Sequence, residues 1–117
     1  MTPIFICYST CTTCRKAKKW LESRGVEFTE RPIKEQNPTV AELRAWQRLS
    51  GLPLRKFFNT SGMKYRELGL SAKLPEMSEE EMFRLLASDG MLVKRPLVVD
   101  GDRVLLGFKE AEWSVLK

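Results

Sequence analysis

The chain has 117 residues, of which 43% are hydrophobic and 30% charged, a composition that predicts one globular domain spanning residues 1–117. It contains no histidine, which excludes Ser–His and Cys–His catalytic pairs and every metal site that needs an imidazole. The net charge of +5 is modest and could favour anionic substrates or a nucleic-acid neighbour. Because the basic residues are spread along the chain, we expect instead a solvated surface of mixed charge and no direct DNA binding.

The chain has no apolar run of about 18 residues, so no membrane span is expected. The N-terminus also lacks the basic region and long apolar run that mark a signal peptide. We therefore predict a cytoplasmic protein, and we expect a monomer. In the cytosol a close pair of cysteines is more often catalytic, redox-sensing or metal-binding than a structural disulfide.

The first third of the chain predicts a βαβ unit. Residues 3–8 form a short apolar run typical of a buried strand, and a helix is predicted from about Cys11 to Arg24, where Gly25 ends it. A second strand is predicted over Val26–Arg31, with Pro32 as its end. Strand, helix and strand at this spacing predict two parallel strands joined by a right-handed crossover.

The middle of the chain, about residues 38–90, predicts helices. Two capping boxes, in which a Ser or Thr side chain and a Glu three positions later satisfy the first N–H groups, mark helix starts. The predicted elements are a helix opened by Thr39 and Glu42, a buried turn at 54–58, a loop at 59–62, a short helix at 65–70 and a helix opened by Ser78 and Glu81.

The last third predicts a β-hairpin and a helix. Two apolar runs, 97–99 and 104–106, flank Asp100-Gly101-Asp102, a strong hairpin signal. The final helix starts near Lys109, with Ala111, Val115 and Leu116 available for the core. The whole order predicts an α/β fold: a thioredoxin-like, mixed four-stranded sheet with flanking helices and a helical insertion between its βαβ and ββα halves.

The most informative motif is Cys11-Thr12-Thr13-Cys14 at the first strand–helix joint. The N-terminus of the helix carries positive potential, to which Arg15 and Lys16 add, and this favours the thiolate of Cys11. Cys11 is therefore the predicted nucleophile, and Cys14 lies one turn further on, where it could resolve a mixed disulfide.

The cysteine pair has two other interpretations. Half a zinc site is disfavoured because only Cys7 remains as a third thiol and no histidine is present. Two buried, inert thiols are disfavoured because a helix start after a strand is the exposed end of such a joint. Cys7 itself, inside the first strand, is predicted to be a small buried hydrophobe.

Arg95-Pro96 is the second candidate feature, because in this topology it would face the cysteine pair. Arg95 either holds an anion or stabilises the thiolate, or it is a solvated arginine before a trans proline; the sequence leaves both open. Lys94 is predicted to be solvated. Four aromatic residues are assigned to the core in preference to a binding surface: Trp46, Phe57, Phe58 and Trp113.

The chain resembles the arsenate reductase/Spx family, especially its small Spx-type members, over essentially its whole length. The matching segments are Cys11–Ala17, Tyr65 with Leu68-Gly69-Leu70, and Lys94–Asp100. The resemblance implies that Cys11 is the reactive thiol and that Arg95 is an active-site arginine beside a cis Pro96. With them, Thr12 and Thr13 are predicted to contact the substrate, and neither a cofactor nor a metal is expected.

Three functions follow from the resemblance. The first is a thiol–disulfide oxidoreductase that uses Cys11 and Cys14, with glutathione, glutaredoxin or thioredoxin as thiol donor. The second is a redox-sensing regulator that binds the RNA polymerase α subunit, as Spx proteins do, although the glycine of that contact aligns with Pro53. The third is arsenate reduction, for which Arg95 matches one of three oxyanion-binding arginines, while Asn59 and Gly107 occupy the other two positions by ungapped count.

Overall fold

The computed structural model describes residues 2–116 and contains one mixed sheet with helices on both faces. The strands order as β2-β1-β3-β4; β1 runs parallel to β2, and the other two pairings are antiparallel. The predicted fold class is confirmed. Its elements are β1 (Ile4–Cys7), α1 (Thr12–Ser23), β2 (Thr29–Pro32), α2 (Val40–Ser50), α3 (Met63–Glu67), α4 (Leu70–Lys73), α5 (Glu79–Ser88), β3 (Leu97–Asp100), β4 (Arg103–Leu106) and α6 (Glu110–Trp113), with 3₁₀ turns at Leu54–Phe57, Leu74–Glu76 and Gly90–Leu92.

Both faces of the sheet are covered, which explains why β1 is apolar throughout. Successive side chains of a strand point to opposite faces. Phe5 and Cys7 accordingly pack with α1 and α6, and Ile6 packs on the other face with α2 and α5. The parallel register pairs Cys7 with Pro32, so β1 and β2 end together, at the edge where α1 begins.

The second strand starts later than predicted, and the reason lies at the end of α1. Gly25 adopts a left-handed conformation with φ of 70°, and its N–H donates to Glu22 O at 3.1 Å. The N–H of Val26 donates to Leu21 O at 3.0 Å, which completes a Schellman motif. Val26 is therefore part of the helix cap, and β2 occupies Thr29–Pro32 instead of Val26–Arg31, with Pro32 inside the strand.

The two long helices of the insertion between β2 and β3 begin where predicted. Both capping boxes form: Thr39 with Glu42 opens α2, and Ser78 with Glu81 opens α5. The predicted single helix at 65–70 is wrong. Gly69 adopts a φ of 62° and separates α3 from α4, because left-handed backbone ends a helix.

The four assigned aromatic residues are all buried, as predicted, and Phe57 and Trp113 are fully enclosed. Two assignments at the C-terminus are wrong: Ala111 is exposed, and Val115 is 44% exposed. Helix α6 has only four residues, so it can turn just one narrow side to the sheet. Trp113 and Leu116 occupy that side, and the positions between them face solvent.

The helices of residues 2–116 are short, with α1 the longest at 12 residues. None of them combines the length and the apolar composition needed to cross a membrane.

Candidate active site

Cys11 stands at the N-cap of α1, the position that precedes the first helical residue. Its backbone is extended (φ −77°, ψ 121°), its N–H donates to Tyr8 O at 3.0 Å, and its carbonyl accepts from Arg15 N–H at 3.0 Å. The side chain is half-buried. The sulfur therefore lies at the positive end of a three-turn helix, with part of its surface open to a reactant.

The pKa of Cys11 lies below its ordinary value. Partial burial alone would raise this pKa, but hydrogen bonds to the sulfur from the backbone N–H and thiol of Cys14, and the charge of Arg95, outweigh burial. The cation that acts on the thiolate is thus Arg95, a residue distant in sequence. Arg15, predicted for this role, instead directs its Nε to Ser9 O at 3.0 Å.

Cys14 is only 2% exposed, one turn inside α1. The backbone N–H of Tyr8 donates to its sulfur at 3.4 Å. Burial raises the pKa of Cys14 to about 12; the Tyr8 hydrogen bond lowers it, and the neighbouring Cys11 raises it further. The pair therefore combines an accessible sulfur that ionises readily with a buried sulfur that keeps its proton.

Cys7 is buried at 4% exposure, as predicted for a small hydrophobe in β1. Its thiol donates to Glu30 Oε2 at 3.5 Å. Burial, and then the charge of Glu30, raise the pKa of Cys7 to about 12. All three cysteines are free thiols in this structure. Within residues 2–116, no three His, Cys, Asp or Glu side chains cluster as a metal site would require.

Arg95 reaches the cysteine pair from the segment before β3, and its peptide bond to Pro96 is cis. Its guanidinium lies over the ring of Tyr8, 5.2 Å from the centroid, and one terminal nitrogen donates to Met91 O at 3.4 Å. Its Nε is buried and has no hydrogen-bond partner among residues 2–116. Tyr8 therefore contacts both parts of the site, since its backbone binds Cys11 and Cys14 and its ring supports Arg95.

The site opens into a groove of about 780 Å³. Of the residues that the sequence nominated, Cys11, Thr13 and Arg95 line this groove. Thr12 is exposed but is not part of the lining, and Cys14 and Pro96 are buried behind it. The remaining lining residues come from three segments: Leu52, Arg55, Lys56, Phe58–Met63, Lys94 and Leu106–Lys109.

The ArsC family model matches residues 7–116 of the chain, which is nearly all of it. This chain belongs to the ArsC family. Among curated relatives it is 59% identical to YusI of Bacillus subtilis, with 97% of each chain covered. It is 30% identical to the global transcriptional regulator Spx 2 of Bacillus anthracis, covering 89% of this chain and 78% of that protein. An ArsC family related protein from Bacteroides fragilis has the same fold, with a TM-score of 0.96, 59% identity and complete coverage of both chains.

The ArsC-family assignment agrees with the resemblance seen in the sequence, and the structure adds residues that the sequence did not nominate. Asn59 and Gly107, which by ungapped count stand where the resemblance implies two oxyanion-binding arginines, both line the groove beside Cys11. Lys94, predicted to be solvated, is half-buried in the same lining. The only feature of the sequence that could have placed Lys94 at the site is its position next to Arg95.

Proposed function

We propose that this ArsC-family protein is a thiol–disulfide oxidoreductase that works through Cys11 and Cys14. The observation that carries the proposal is the contrast between the two thiols. Cys11 is half-buried at a helix N-terminus with a lowered pKa, and Cys14 is buried with a raised one. A low-pKa, accessible thiolate is the attacking group in exchange reactions, and a neighbouring thiol resolves the product.

In the first step, the Cys11 thiolate attacks one sulfur of a substrate disulfide. A Cys11–substrate bond forms, the substrate bond breaks, and the leaving sulfur takes its electron pair and a proton from water. In the second step, Cys14 loses its proton to water and attacks the Cys11 sulfur, so that an intramolecular disulfide forms and the second substrate thiol leaves. The substrate has gained two electrons, which glutathione, glutaredoxin or thioredoxin then returns to the protein.

The raised pKa of Cys14 suits this order of events. While Cys11 is a thiolate, its hydrogen bond and its negative charge are among the causes that hold the Cys14 proton in place. Once Cys11 is in a mixed disulfide, that charge is gone, and the pKa of Cys14 falls toward what burial alone would set. Cys14 therefore loses its proton more readily after the first step than before it, while burial, the largest cause, still raises its pKa.

We assign to Arg95 the stabilisation of the Cys11 thiolate or of an anionic group on the substrate. Of the other predicted substrate contacts, Thr13 lines the groove and is the one that we propose further; Thr12 and Pro96 lie outside the lining. We also propose that the reaction runs in the cytoplasm, where the named thiol donors keep cysteines reduced.

The test is trapping with a Cys14→Ser variant in cell lysate, followed by mass spectrometry of the captured partner. With the resolving thiol gone, Cys11 should remain bonded to its substrate. Cys11→Ser is the matched control and should capture nothing. Titration of Cys11 alkylation against pH should give a midpoint below the ordinary value of about 8.5. A midpoint at that value, with no Cys11–Cys14 disulfide under mild oxidant, would contradict the proposal.

A second candidate function is redox-responsive regulation through the RNA polymerase α subunit, favoured by the 30% identity to Spx 2. A pull-down with the C-terminal domain of that subunit, using reduced and oxidised protein, distinguishes regulator from enzyme. Redox-dependent capture would support the regulator, and absence of capture in both states would remove it.

Arsenate reduction is the third candidate. Of the arginine positions expected for the oxyanion, only Arg95 holds an arginine, since Asn59 and Gly107 stand at the others. We expect little arsenate turnover with glutaredoxin or thioredoxin as donor. Turnover comparable to disulfide reduction would make arsenate the better assignment.

A further inference from the structure

The groove at Cys11 is strongly basic, although its cations are scattered in the sequence. Among the described residues that line it there is no aspartate or glutamate. Its lining does contain five basic residues: Arg55, Lys56, Lys94, Arg95 and Lys109. The expectation of an evenly mixed surface is therefore wrong at this groove, because the fold gathers cations that the sequence separates.

Most of this charge is not neutralised by the protein. Within residues 2–116, only Lys109 of the five has a carboxylate within 4 Å, that of Glu112 at 3.6 Å, and both side chains are largely exposed. Of the cations outside the groove in residues 2–116, only four have a carboxylate within 4 Å, for example Arg31 with Glu42 at 2.7 Å. The groove thus retains four positive charges without an acidic partner, a state that a bound anion would stabilise.

Backbone contacts hold the basic segments side by side. The N–H of Lys94 donates to Phe57 O at 2.7 Å, and Phe58 forms an isolated bridge with Val93. These contacts join the turn that carries Arg55 and Lys56 to the segment that carries Lys94 and Arg95.

Gly107 leaves room for one of these cations. A Cβ at Gly107 would lie 3.3 Å from Cε of Lys94, so the missing side chain makes space for the lysine stem. Gly107 also adopts a φ of 69°, a backbone conformation that favours glycine.

Two apolar side chains in the lining of the groove are exposed to solvent. Leu52 is 38% exposed and Met63 is 75% exposed, and both are lining residues. Exposed apolar groups beside several unpaired cations suit a polypeptide that offers both carboxylates and apolar side chains. A small hydrophilic thiol would leave Leu52 and Met63 uncovered.

We propose that the substrate of Cys11 is an oxidised cysteine within an acidic segment of a partner protein. This inference rests on the proposed exchange reaction. The segment's carboxylates would occupy the groove between the Arg55–Lys56 turn and Lys94. The exchange is that given above, with the partner's disulfide as the oxidant. The groove cations offset the repulsion between the Cys11 thiolate and an anionic reactant and raise its encounter rate.

The test uses two peptides that differ only in charge. Each carries one cysteine activated as a 2-pyridyl disulfide, flanked by aspartate and leucine in one and by asparagine and leucine in the other. The protein is the Cys14→Ser variant, and the rate is followed by the absorbance of released pyridine-2-thione. At low salt the acidic peptide should react at least about tenfold faster, and the ratio should approach one in about 0.5 M salt.

Substitution of the groove lysines then locates the effect. The double variant Lys56→Gln/Lys94→Gln should lower the ratio of acidic to neutral rates severalfold. Lys19→Gln, at an exposed position of α1 outside the groove, is the control and should leave the ratio unchanged. A ratio equally sensitive to Lys19 would overturn the assignment to the groove.

Two further outcomes separate this inference from the proposed function. Fast, equal rates for both peptides would overturn the acidic-segment proposal and leave the exchange reaction standing. If the protein reacts with both peptides no faster than free cysteine does, the proposed exchange reaction itself is overturned. Oxidised glutathione and its neutral ester form the small-molecule pair. If the protein prefers the charged member of the glutathione pair but not the acidic peptide, its substrate is a small molecule, and the proposal is contradicted.

Discussion

At the scale of single residues, the reactivity of this chain depends on which charges face the Cys11 sulfur. A helix N-terminus favours a thiolate, but here the side-chain cation that acts on it is Arg95. Arg95 is held over the ring of Tyr8 with an unpartnered buried Nε among the described residues, so few protein contacts compete for its charge.

Replacing Arg95 by glutamine should therefore raise the pKa of Cys11. At pH 7 a smaller fraction of Cys11 would be thiolate, so alkylation by iodoacetamide should slow severalfold, while the rate at high pH stays the same. Lys16→Gln is the control, since Lys16 is exposed on the first turns of α1. If both variants slow equally, the general field of the helix start matters and Arg95 has no special role.

At the scale of elements, Arg31 joins β2 to α2. Its guanidinium donates to both carboxylate oxygens of Glu42, at 2.7 and 2.8 Å, and to the carbonyl of Gln36 at 3.0 Å. The bidentate Arg31 contact, followed by hydrogen bonds from Thr39, lowers the pKa of Glu42 to about 2. One carboxylate thus caps α2 and fixes the loop that leads into it.

Glu42→Gln should cost about 1 to 2 kcal/mol at pH 7, because the amide keeps a cap acceptor but loses the ion pair, which solvent partly screens. Glu42 has a lower pKa folded than unfolded, so its contribution is present above about pH 4.5 and lost as the pH falls toward 2. In urea unfolding, the free energy of unfolding should therefore decrease less between pH 7 and pH 3 in the variant than in the wild type. Glu81→Gln is the control, because Glu81 forms the same kind of cap without such an arginine; an equal effect there would contradict the argument.

Gly90, directly after α5, packs against the loop that follows β2. A Cβ at this position would collide with the carbonyl oxygen of Ile33 and would lie 2.7 Å from Oδ1 of Asn37. Gly90→Ala should destabilise the fold by about 1 to 3 kcal/mol, since a backbone oxygen cannot move aside as a side chain can. Gly62→Ala, which meets mainly the side chain of Asn59, should cost less in the same thermal unfolding measurement. If Gly62→Ala destabilises the fold more than Gly90→Ala does, the backbone at Ile33 moves aside more easily than we expect.

At the scale of the whole molecule, burial of two thiols makes stability depend on alkaline pH. The pKa values of Cys7 and Cys14 are raised to about 12 in the folded protein. Between the ordinary thiol pKa of about 8.5 and this value, the unfolded chain loses protons that the folded one keeps. The contribution of these two thiols to the free energy of unfolding should therefore be fully present below about pH 8.5, and it should fall as the pH rises from there toward 12.

Cys7→Ala should flatten that fall, by at most about 1.4 kcal/mol per pH unit, because one retained proton is removed. The measurement is guanidinium unfolding at a series of pH values from 8 to 11. Val98→Ala, on the same buried face of the sheet, should lower stability at every pH without changing the slope. Equal slopes in Cys7→Ala and the wild type would show that Cys7 is not the titrating group.

Much of this protein could be predicted from its sequence because the relevant signals are local. The capping boxes at Thr39 and Ser78, the Asp100-Gly101-Asp102 turn and the apolar run of β1 each act within a few residues, so they identified the elements and their order. The boundaries of β2 were missed because Val26 caps α1, a contact that depends on the left-handed backbone at Gly25. The cysteine pair was likewise legible as a motif at a strand–helix joint.

Only the tertiary structure decided which charges surround that pair. Electrostatic interactions depend on distance in space, and nothing in the sequence brings Lys56, Lys94 and Lys109 into one groove with Cys11. The sequence left open whether Arg95 acts on the thiolate or is solvated, and the tertiary structure places its charge at Cys11 while Arg15 binds Ser9 O. The sequence by itself therefore determined the fold and nominated the Cys11 sulfur as the proposed reactive atom, and the packing of distant segments decided the electrostatic surroundings of that sulfur.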